Sequence, residues 1–561
     1  MPTTQTKELS MYSPLIRQLL LNRGIATEEE AQYFLSPDWE EHTHDPYELA
    51  NMDKAVGRIV QAIENKEHIV IFSDYDTDGI PGAVIFHDFL RKVGHENFEV
   101  YIPHRVEEGF GLNMEAIEGF VENGADVLIT IDCGIRGNSE VFHAQENGID
   151  VIITDHHMPG DDVPDAYAIV NPKMPGCEYS EEMLCGAAVV FKLVQALAES
   201  MRDTHDIHEG WEKWLLDMVG IATLSDMVPL KGENRVFAHY GLTVLRKSRR
   251  EGLKTLLQKG RVSQKYLSED DVGFTIGPRI NAASRMDVPK AAFDLLVSDD
   301  TAEAEKLAEH LEGINNERKG VVAAMVKEIK KKLSRRDEQP VVIATGDPEW
   351  SPGLLGLAAS SVVGSFDRPA FIWGRGGGSV IKGSCRSDGR VNLVDLMAAV
   401  PDGFFLEFGG HAQSGGFSID HEHIHTLEEA LADAYAQVKT GSAIEQQSVD
   451  AELTISDISW KLWDEIQRLA PFGMGNPKPL FKFSDVVVQK ISHFGKQSNH
   501  LKLRFSQEGK EINAIEFFTT NDTYGLEEGE TVSLHAHLEK DVFGRRPELR
   551  FRIVDILQKE N

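Results

Sequence analysis

Residues 69–90 read IVIFSDYDTDGIPGAVIFHDFL: a β-rich apolar run, three aspartates at alternate positions, a glycine, then a second apolar stretch. The first run lacks helical periodicity and the segment 82–93 has it, so Asp74-Tyr75-Asp76-Thr77-Asp78-Gly79 occupies a strand-to-helix turn. The pattern recurs along the chain. Further β-rich runs stand at 99–102, 127–131, 151–154 and 219–224, and helical stretches at 113–123, 138–147 and 186–200. Strands alternating with helices of this length predict an α/β fold with a parallel, doubly wound sheet. Its strand-to-helix loops gather at the carboxyl edge, where such sheets bind ligands.

Four of these runs end in acidic residues: the DYDTDG turn, Asp132-Cys133-Gly134, Asp155-His156-His157 and Asp226. Each has an ordinary reading alone. DxDxDG opens an EF-hand loop, but Ile85 stands at the twelfth position, where a glutamate is required. A single aspartate after a strand commonly caps a helix, and paired histidines are often structural. Their joint occurrence at strand ends predicts convergence. Carboxylates brought that close repel unless cations neutralise them. Mixed Asp/His donors suit Mn²⁺ or Mg²⁺, and one aspartate shared between ions makes a two-metal hydrolytic site.

The chain has 561 residues, 41% hydrophobic and 26% charged, with a formal net charge of −33. These values exclude a disordered or collagen-like chain. No apolar run approaches the ~18 residues of a membrane span, and the first residues lack the pattern of a secretory signal. Four cysteines without a CxxC pair fit a reducing cytoplasm and argue against a zinc site. The charge disfavours non-specific binding to polyanions, though a local basic groove can coexist with an acidic exterior.

Outside the first sheet, 1–48 reads as a helical segment, 49–300 as the catalytic domain and 301–335 as one long connector helix. A smaller αβ domain follows over 336–440, and 448–561 reads as a small β-barrel of short strands. In the barrel, Phe494, Phe505, Phe517, Phe518 and Phe543 lie near Lys496, Lys502, Arg545 and Arg546, a composition suited to single strands, although most such phenylalanines are core. RKSRR (246–250) and KKKLSRR (330–336) are candidate groove walls or solvated helix faces.

In this order, DYDTDG, DCG, DHH and LSDMVPL resemble the four motifs of the DHH phosphoesterase superfamily. YIPHRVEEGFGL (101–112), GPRINAASRMD (277–287), GSCRS (383–387), GGHAQSGGF (409–417) and LAPFGMGNPKPLF (469–481) extend the likeness to its RecJ branch, over nearly the whole chain. The resemblance implies a two-lobed DHH phosphoesterase: a DHH domain, a long helix, a DHH-associated domain and a C-terminal OB-fold. It implies 5′→3′ hydrolysis of single-stranded DNA to 5′-mononucleotides, with Mn²⁺ or Mg²⁺ as two bound ions, in DNA repair and recombination. By matching position it implies Asp74, Asp76, Asp78, Asp132, His156 and Asp226 as metal ligands, with Asp132 bridging. Asp155 is a ligand or a partner of one. His157 and His411 would touch the scissile phosphate and Arg279 the substrate backbone. Arg105, Ser384 and Arg386 would grip the 5′-terminal phosphate. Trp350-Ser351 stands where the family often has Trp-His, and Ser414 and Gly415 where it often has alanines.

The expected partners are single-stranded DNA with a 5′ end, a single-strand-binding protein and a helicase. The expected enzyme is a cytoplasmic monomer without membrane association. Two other readings compete: a DHH phosphodiesterase for small substrates such as nanoRNA or cyclic dinucleotides, against which the 448–561 module argues, and a non-catalytic binding protein, against which the intact acidic motifs argue.

Overall fold

The computed structural model describes residues 8–376, 380–438, 448–495, 498–542 and 546–558; Lys496, Phe543 and Arg545 lie outside them. The chain divides into two compact units, one of residues 45–226 and 240–446, the other of 1–44, 227–239 and 447–561.

In the first unit β1 (Ile69–Ser73), β2 (Phe98–Tyr101), β3 (Val127–Ile131), β4 (Asp150–Thr154) and β5 (Ala168–Val170) form a parallel sheet of order β2-β1-β3-β4-β5. Every residue of β1 and β3 is buried. Helices cover both faces, which is why these strands read as continuous apolar runs rather than alternating ones. The helix after β1, α1 (Gly79–Lys92), packs against α2 (Gly186–Ser200).

The expected strand at 219–224 is instead part of a helix, α3 (Leu216–Ser225). A short apolar run bounded by polar residues has no periodicity to separate a buried strand from a buried helix. Here residues 216–223 are all buried, against α1 and α2 on one side, while Gly220 lies against Gly241 so closely that a Cβ would stand 2.7 Å from that residue's Cα. Asp226 is therefore the C-cap of a helix, not a residue after a strand.

Next come α4 (Gly277–Met286) and the 33-residue α5 (Thr301–Leu333), which confirms the expected long helix. Asp300 accepts from Glu303 N–H at its start, and Lys330, Lys331 and Lys332 complement its carbonyl end. The smaller domain is a mixed sheet of β6 (Ile343–Asp347), β7 (Ala370–Gly374), β8 (Ile381–Arg386), β9 (Phe405–Gly410) and β10 (Ser414–Ile419), in order β6-β7-β8-β10-β9. It carries α6 (Pro352–Phe366) against β7 and β8. The RKSRR segment is mostly structural: Arg250 pairs with Asp217 at 2.9 Å and Asp88 at 2.7 Å, and Arg246 donates to Leu267 O.

The second unit is built on β11 (Ala451–Glu452), β12 (Phe481–Phe494), β13 (His500–Gln507), β14 (Lys510–Glu516), β15 (Thr531–Asp541) and β16 (Glu548–Gln558). Pairing of β12 with β15 closes five of them into a barrel. Phe505 is core, as are Phe481, Phe483 and Phe551. Ile16, Leu19 and Leu20, from the helix Pro14–Asn22, belong to the same apolar cluster as these phenylalanines. Arg235, almost wholly buried, stacks on Phe34 and donates to the Phe34, Leu469 and Ala470 carbonyls, which ties the three chain segments together.

Candidate metal centre

The carboxyl ends of β1, β3 and β4 deliver Asp74, Asp76, Asp78, Asp132, His156 and His157 to one place, and the end of α3 adds Asp226. Tight local geometry makes this possible. Gly79 lies where a Cβ would stand 2.4 Å from Asp74 O, so the acidic turn folds back on itself only with glycine there. Asp132 adopts φ 59°, a left-handed backbone outside a helix N-cap, and its side chain turns into the cluster. The carboxylate of Asp78 accepts from Gly186 N–H at 2.6 Å and Ala187 N–H at 2.7 Å, at the start of α2.

Three groups of ligand atoms lie within 4.8 Å of one another: Asp74, Asp76 and Asp132; Asp78, His156 and Asp226; and Asp132, His156 and His157. Asp132 and His156 each belong to two. Asp155 is in none. Its two oxygens accept from His156 N–H, His157 N–H, His157 Nδ1 and Ile135 N–H, so it orients the histidines. Burial alone would raise its pKa, but the His157 hydrogen bond and charge hold it below the ordinary value.

The rest of the cluster is electrostatically unsatisfied. Burial and then Asp78, Asp76, Asp74 and Asp226 push Asp132 well above the carboxylate range, and burial with Asp76 does the same to Asp74. Asp78 is pushed up to about 7 by burial and Asp76, and Asp226 to about 9 by burial and Asp78. His156 Nδ1 lies 2.9 Å from Leu184 O, and burial with the charges of His157 and Lys173 pulls its pKa down to about 4. With Nδ1 donating, Nε2 presents a bare lone pair to Asp132 Oδ1 at 3.1 Å, Asp78 Oδ2 at 3.6 Å and Asp226 Oδ2 at 3.9 Å. Asp74 Oδ1 and Asp132 Oδ1 are buried without a hydrogen-bond partner. Hard oxygen donors with one imidazole, arranged this way, fit divalent cations of the Mn²⁺ or Mg²⁺ type.

Cations flank the acids. Arg105 stacks over the Tyr75 ring at 4.8 Å, and Arg386 donates to Ser384 Oγ and Cys385 O. Burial and repulsion from Arg105 lower the Arg386 pKa. Arg285 on α4 donates to Gly353 O at 2.8 Å; burial, then Arg105 and Arg318, pull its pKa down to about 10. None of Arg105, Arg285, Arg318 and Arg386 makes an ion pair among the described residues. Guanidiniums that crowd together with no carboxylate in ion-pair contact form a cradle for an anion. The sequence reading missed Arg285 and Arg318; Arg285 lies inside the quoted GPRINAASRMD stretch, but an arginine on a helix carries no pattern of its own. Arg279 is nearly buried and engaged with Glu312 at 2.6 Å and Thr275 O at 2.8 Å. His411 is exposed on the β9–β10 connection, where its imidazole makes no hydrogen bond or ion pair among the described residues.

Comparison with known proteins agrees with this architecture. Residues 68–223 match the DHH family N-terminal domain, 338–440 the DHHA1 domain and 449–555 the RecJ OB domain. The single-stranded-DNA-specific exonuclease RecJ of Bacillus subtilis is 34% identical over 553 residues, covering 98% of this chain and 68% of that protein. The Escherichia coli protein of the same name is 31% identical, covering 83% of each. A crystal structure of Thermus thermophilus RecJ in complex with Mn²⁺ superposes with TM-score 0.83 at 26% identity, over 100% of this chain and 79% of that one. An exonuclease RecJ bound to manganese is 32% identical with TM-score 0.59, covering 69% of this chain and 95% of that one. Three domain models in the expected order, relatives matched over most of this chain and an acidic centre that suits Mn²⁺ or Mg²⁺ converge: this chain belongs to the RecJ family of DHH-domain exonucleases.

Proposed function

We propose that the chain is a metal-dependent exonuclease that takes single-stranded DNA by its 5′ end and releases 5′-mononucleotides. The observation that carries this reading is the mutually repelling carboxylate cluster with a neutral imidazole aimed into it, beside a group of arginines that form no ion pairs among the described residues. Asp74, Asp76, Asp78, Asp132, His156 and Asp226 would hold two divalent ions, Mn²⁺ or Mg²⁺. When bound, these acidify a water and offset charge on the phosphate. Arg105, Ser384 and Arg386 would hold the terminal phosphate and so place the first internucleotide phosphate at the cluster. Asp155 fixes His157 through Nδ1, leaving Nε2 outward to donate to a phosphate oxygen; the Asp155 bond opposes the effect of burial and raises the His157 pKa. Water adds to phosphorus as the P–O3′ bond breaks. The released nucleotide leaves with a 3′-hydroxyl, and the shortened strand keeps the phosphate as its new 5′ end.

In the barrel, Phe494, His500, Phe517 and the 82% exposed Phe518 form a connected ring cluster, with Arg552 over Phe517 at 4.1 Å. These rings and that guanidinium suit stacking with unpaired bases. No helix among the described residues is long and apolar enough to cross a membrane. The reading assigns the enzyme to the cytoplasm, as a monomer in DNA repair and recombination, supplied with single strands by a helicase and a single-strand-binding protein.

The test is Mn²⁺-dependent digestion of internally labelled single-stranded DNA, its 5′ end free or blocked, beside Asp132→Ala. Mononucleotides are expected only from the free 5′ end and only with the wild-type chain. Survival of long DNA while dinucleotides or cyclic dinucleotides are cut would replace this reading with a small-substrate phosphodiesterase.

A further inference from the structure

The order of strands fixes the order of charges along the sheet's carboxyl edge. From one side to the other the loops carry Arg105 after β2, Asp74, Asp76 and Asp78 after β1, Asp132 after β3, His156 and His157 after β4, and Lys173 after β5. Neighbouring strands lie ~4.8 Å apart, so the two cation-bearing loops start about two strand spacings, ~10 Å, on either side of β3. The acid cluster stands between two cationic flanks, and only the Arg105 flank has a role so far.

Lys173 is held in place by a dedicated device. Asn171, fully buried, donates through Nδ2 to His157 O at 2.9 Å and accepts Lys173 N–H on Oδ1 at 2.8 Å. One amide therefore fixes the turn after β5 to the histidine loop after β4. The half-buried ammonium makes no hydrogen bond or ion pair among the described residues, yet it lies within electrostatic reach of Asp226, Asp155, Glu182 and Asp132. Burial pulls its pKa below the ordinary lysine value, and those four carboxylates oppose the shift. A lysine whose backbone is anchored while its ammonium is left without an ion pair, beside the acid cluster, is placed for an anion that arrives from outside.

We infer that Lys173 binds the phosphate on the 3′ side of the scissile bond, so that the strand is gripped at both flanks of the metal centre. The inference rests on the proposed exonuclease reading. With the 5′-terminal phosphate at Arg105 and the scissile phosphate at the acid cluster, the next phosphate along the strand falls on the β5 side. After each cut the phosphate left at the centre becomes the new 5′ end and must move toward Arg105. A lysine suits this station: a compact, rotatable point charge holds a passing phosphate without the bidentate geometry of arginine.

The experiment compares single-turnover kcat/KM of wild type, Lys173→Ala and Lys173→Arg on a 5′-phosphorylated dinucleotide and trinucleotide. The dinucleotide contains the scissile phosphate but no phosphate beyond it. A third substrate is the trinucleotide with an uncharged methylphosphonate at its second linkage. For a lost charge-assisted hydrogen bond, Lys173→Ala should cost about tenfold or more on the trinucleotide. The loss should shrink to within about twofold on the dinucleotide and on the methylphosphonate substrate, and Lys173→Arg should restore most of it. All rates are read at saturating Mn²⁺, because removing a cation beside Asp226 and Asp132 shifts metal affinity itself, and thermal unfolding on the same samples should match wild type. An equal loss on all three substrates, or no loss on the trinucleotide, overturns the inference. If the wild type cuts none of them, nor longer strands, the exonuclease reading itself fails, an outcome distinct from either.

Discussion

Gly186→Ala provides a sharp test of the metal centre because it alters no candidate ligand. Gly186 is the first residue of α2, where alanine is otherwise the better helix former. The obstacle is steric: a Cβ there would lie 2.6 Å from Asp132 Cβ and Oδ1 and 2.7 Å from Asp132 Cγ. Ordinary contact begins at 3.4 Å, so the Asp132 carboxylate must retreat by about 0.8 Å. Ligand distances tolerate only ~0.2 Å, and changes in the shell behind the ligands already cost ~10–100-fold in metal affinity or activity. Moving the carboxylate proposed to be shared should cost at least the upper end, about 100-fold in Mn²⁺ affinity, read by calorimetric titration and by nuclease rate at saturating metal. Overpacking should also lower stability by ~1–3 kcal/mol. Gly57→Ala is the control: Gly57 is exposed within the helix Met52–Asn65 with nothing within 4 Å of its would-be Cβ, so that change should stabilise by about 0.5–1 kcal/mol and leave Mn²⁺ binding alone. Wild-type metal affinity and rate in Gly186→Ala would refute the assignment of Asp132 as the shared ligand.

The titration of the cluster makes a second prediction. Asp78 at about 7 and Asp226 at about 9 stand above the ordinary aspartate value of 3.8, so the metal-free fold binds more protons than the unfolded chain between those limits. Metal-free stability should therefore be greatest at acid pH and fall as pH rises from about 4 toward 9, seen as a declining Tm. Mn²⁺ binding near pH 7 should release protons, measured by titration in buffers of different ionisation enthalpy; no release would contradict protonated carboxyls. Arg250→Ala would strand Asp217 and Asp88, which are paired with it at 2.9 and 2.7 Å, and should cost ~3–5 kcal/mol in denaturant unfolding. A loss below ~1 kcal/mol would show the network to be solvated rather than buried.

The parts of the fold legible in the sequence were those with a physical signature. Continuous apolar β-runs at 69–72 and 127–131 marked strands covered on both faces, and helical spacing across 301–333 marked the long helix. The run at 219–224 carried the same apolar content inside a helix buried on all sides, and periodicity has nothing to measure in such a segment. Asp226 still reached the cluster, because a helix C-terminus can aim a side chain at the sheet edge as well as a strand end can. The carboxylates were legible through their repetition at element ends. Arg105, Ser384 and Arg386 came from family resemblance alone. Lys173, Arg285 and Arg318 were invisible because a lone cation in a turn or on a helix means nothing until strand order and packing show what it stands beside.

The shared core of the N-terminal helices and the barrel bears on how this chain is made. Ile16, Leu19 and Leu20 are buried among side chains contributed by residues 451–556. Those partners are synthesised hundreds of residues later. At ~5–20 residues per second, the gap of roughly 430 to 540 residues is about 20–110 s of synthesis. Throughout that interval these helices carry an apolar face that Leu9, Ala31, Phe34 and Leu35 can cover only in part. The catalytic sheet can form meanwhile, so the nascent protein passes through a stage with its chemistry assembled and its beginning still unsheltered. Chaperone dependence and early proteolysis should concentrate in that window, and should vanish once the barrel strand Glu548–Gln558 has emerged.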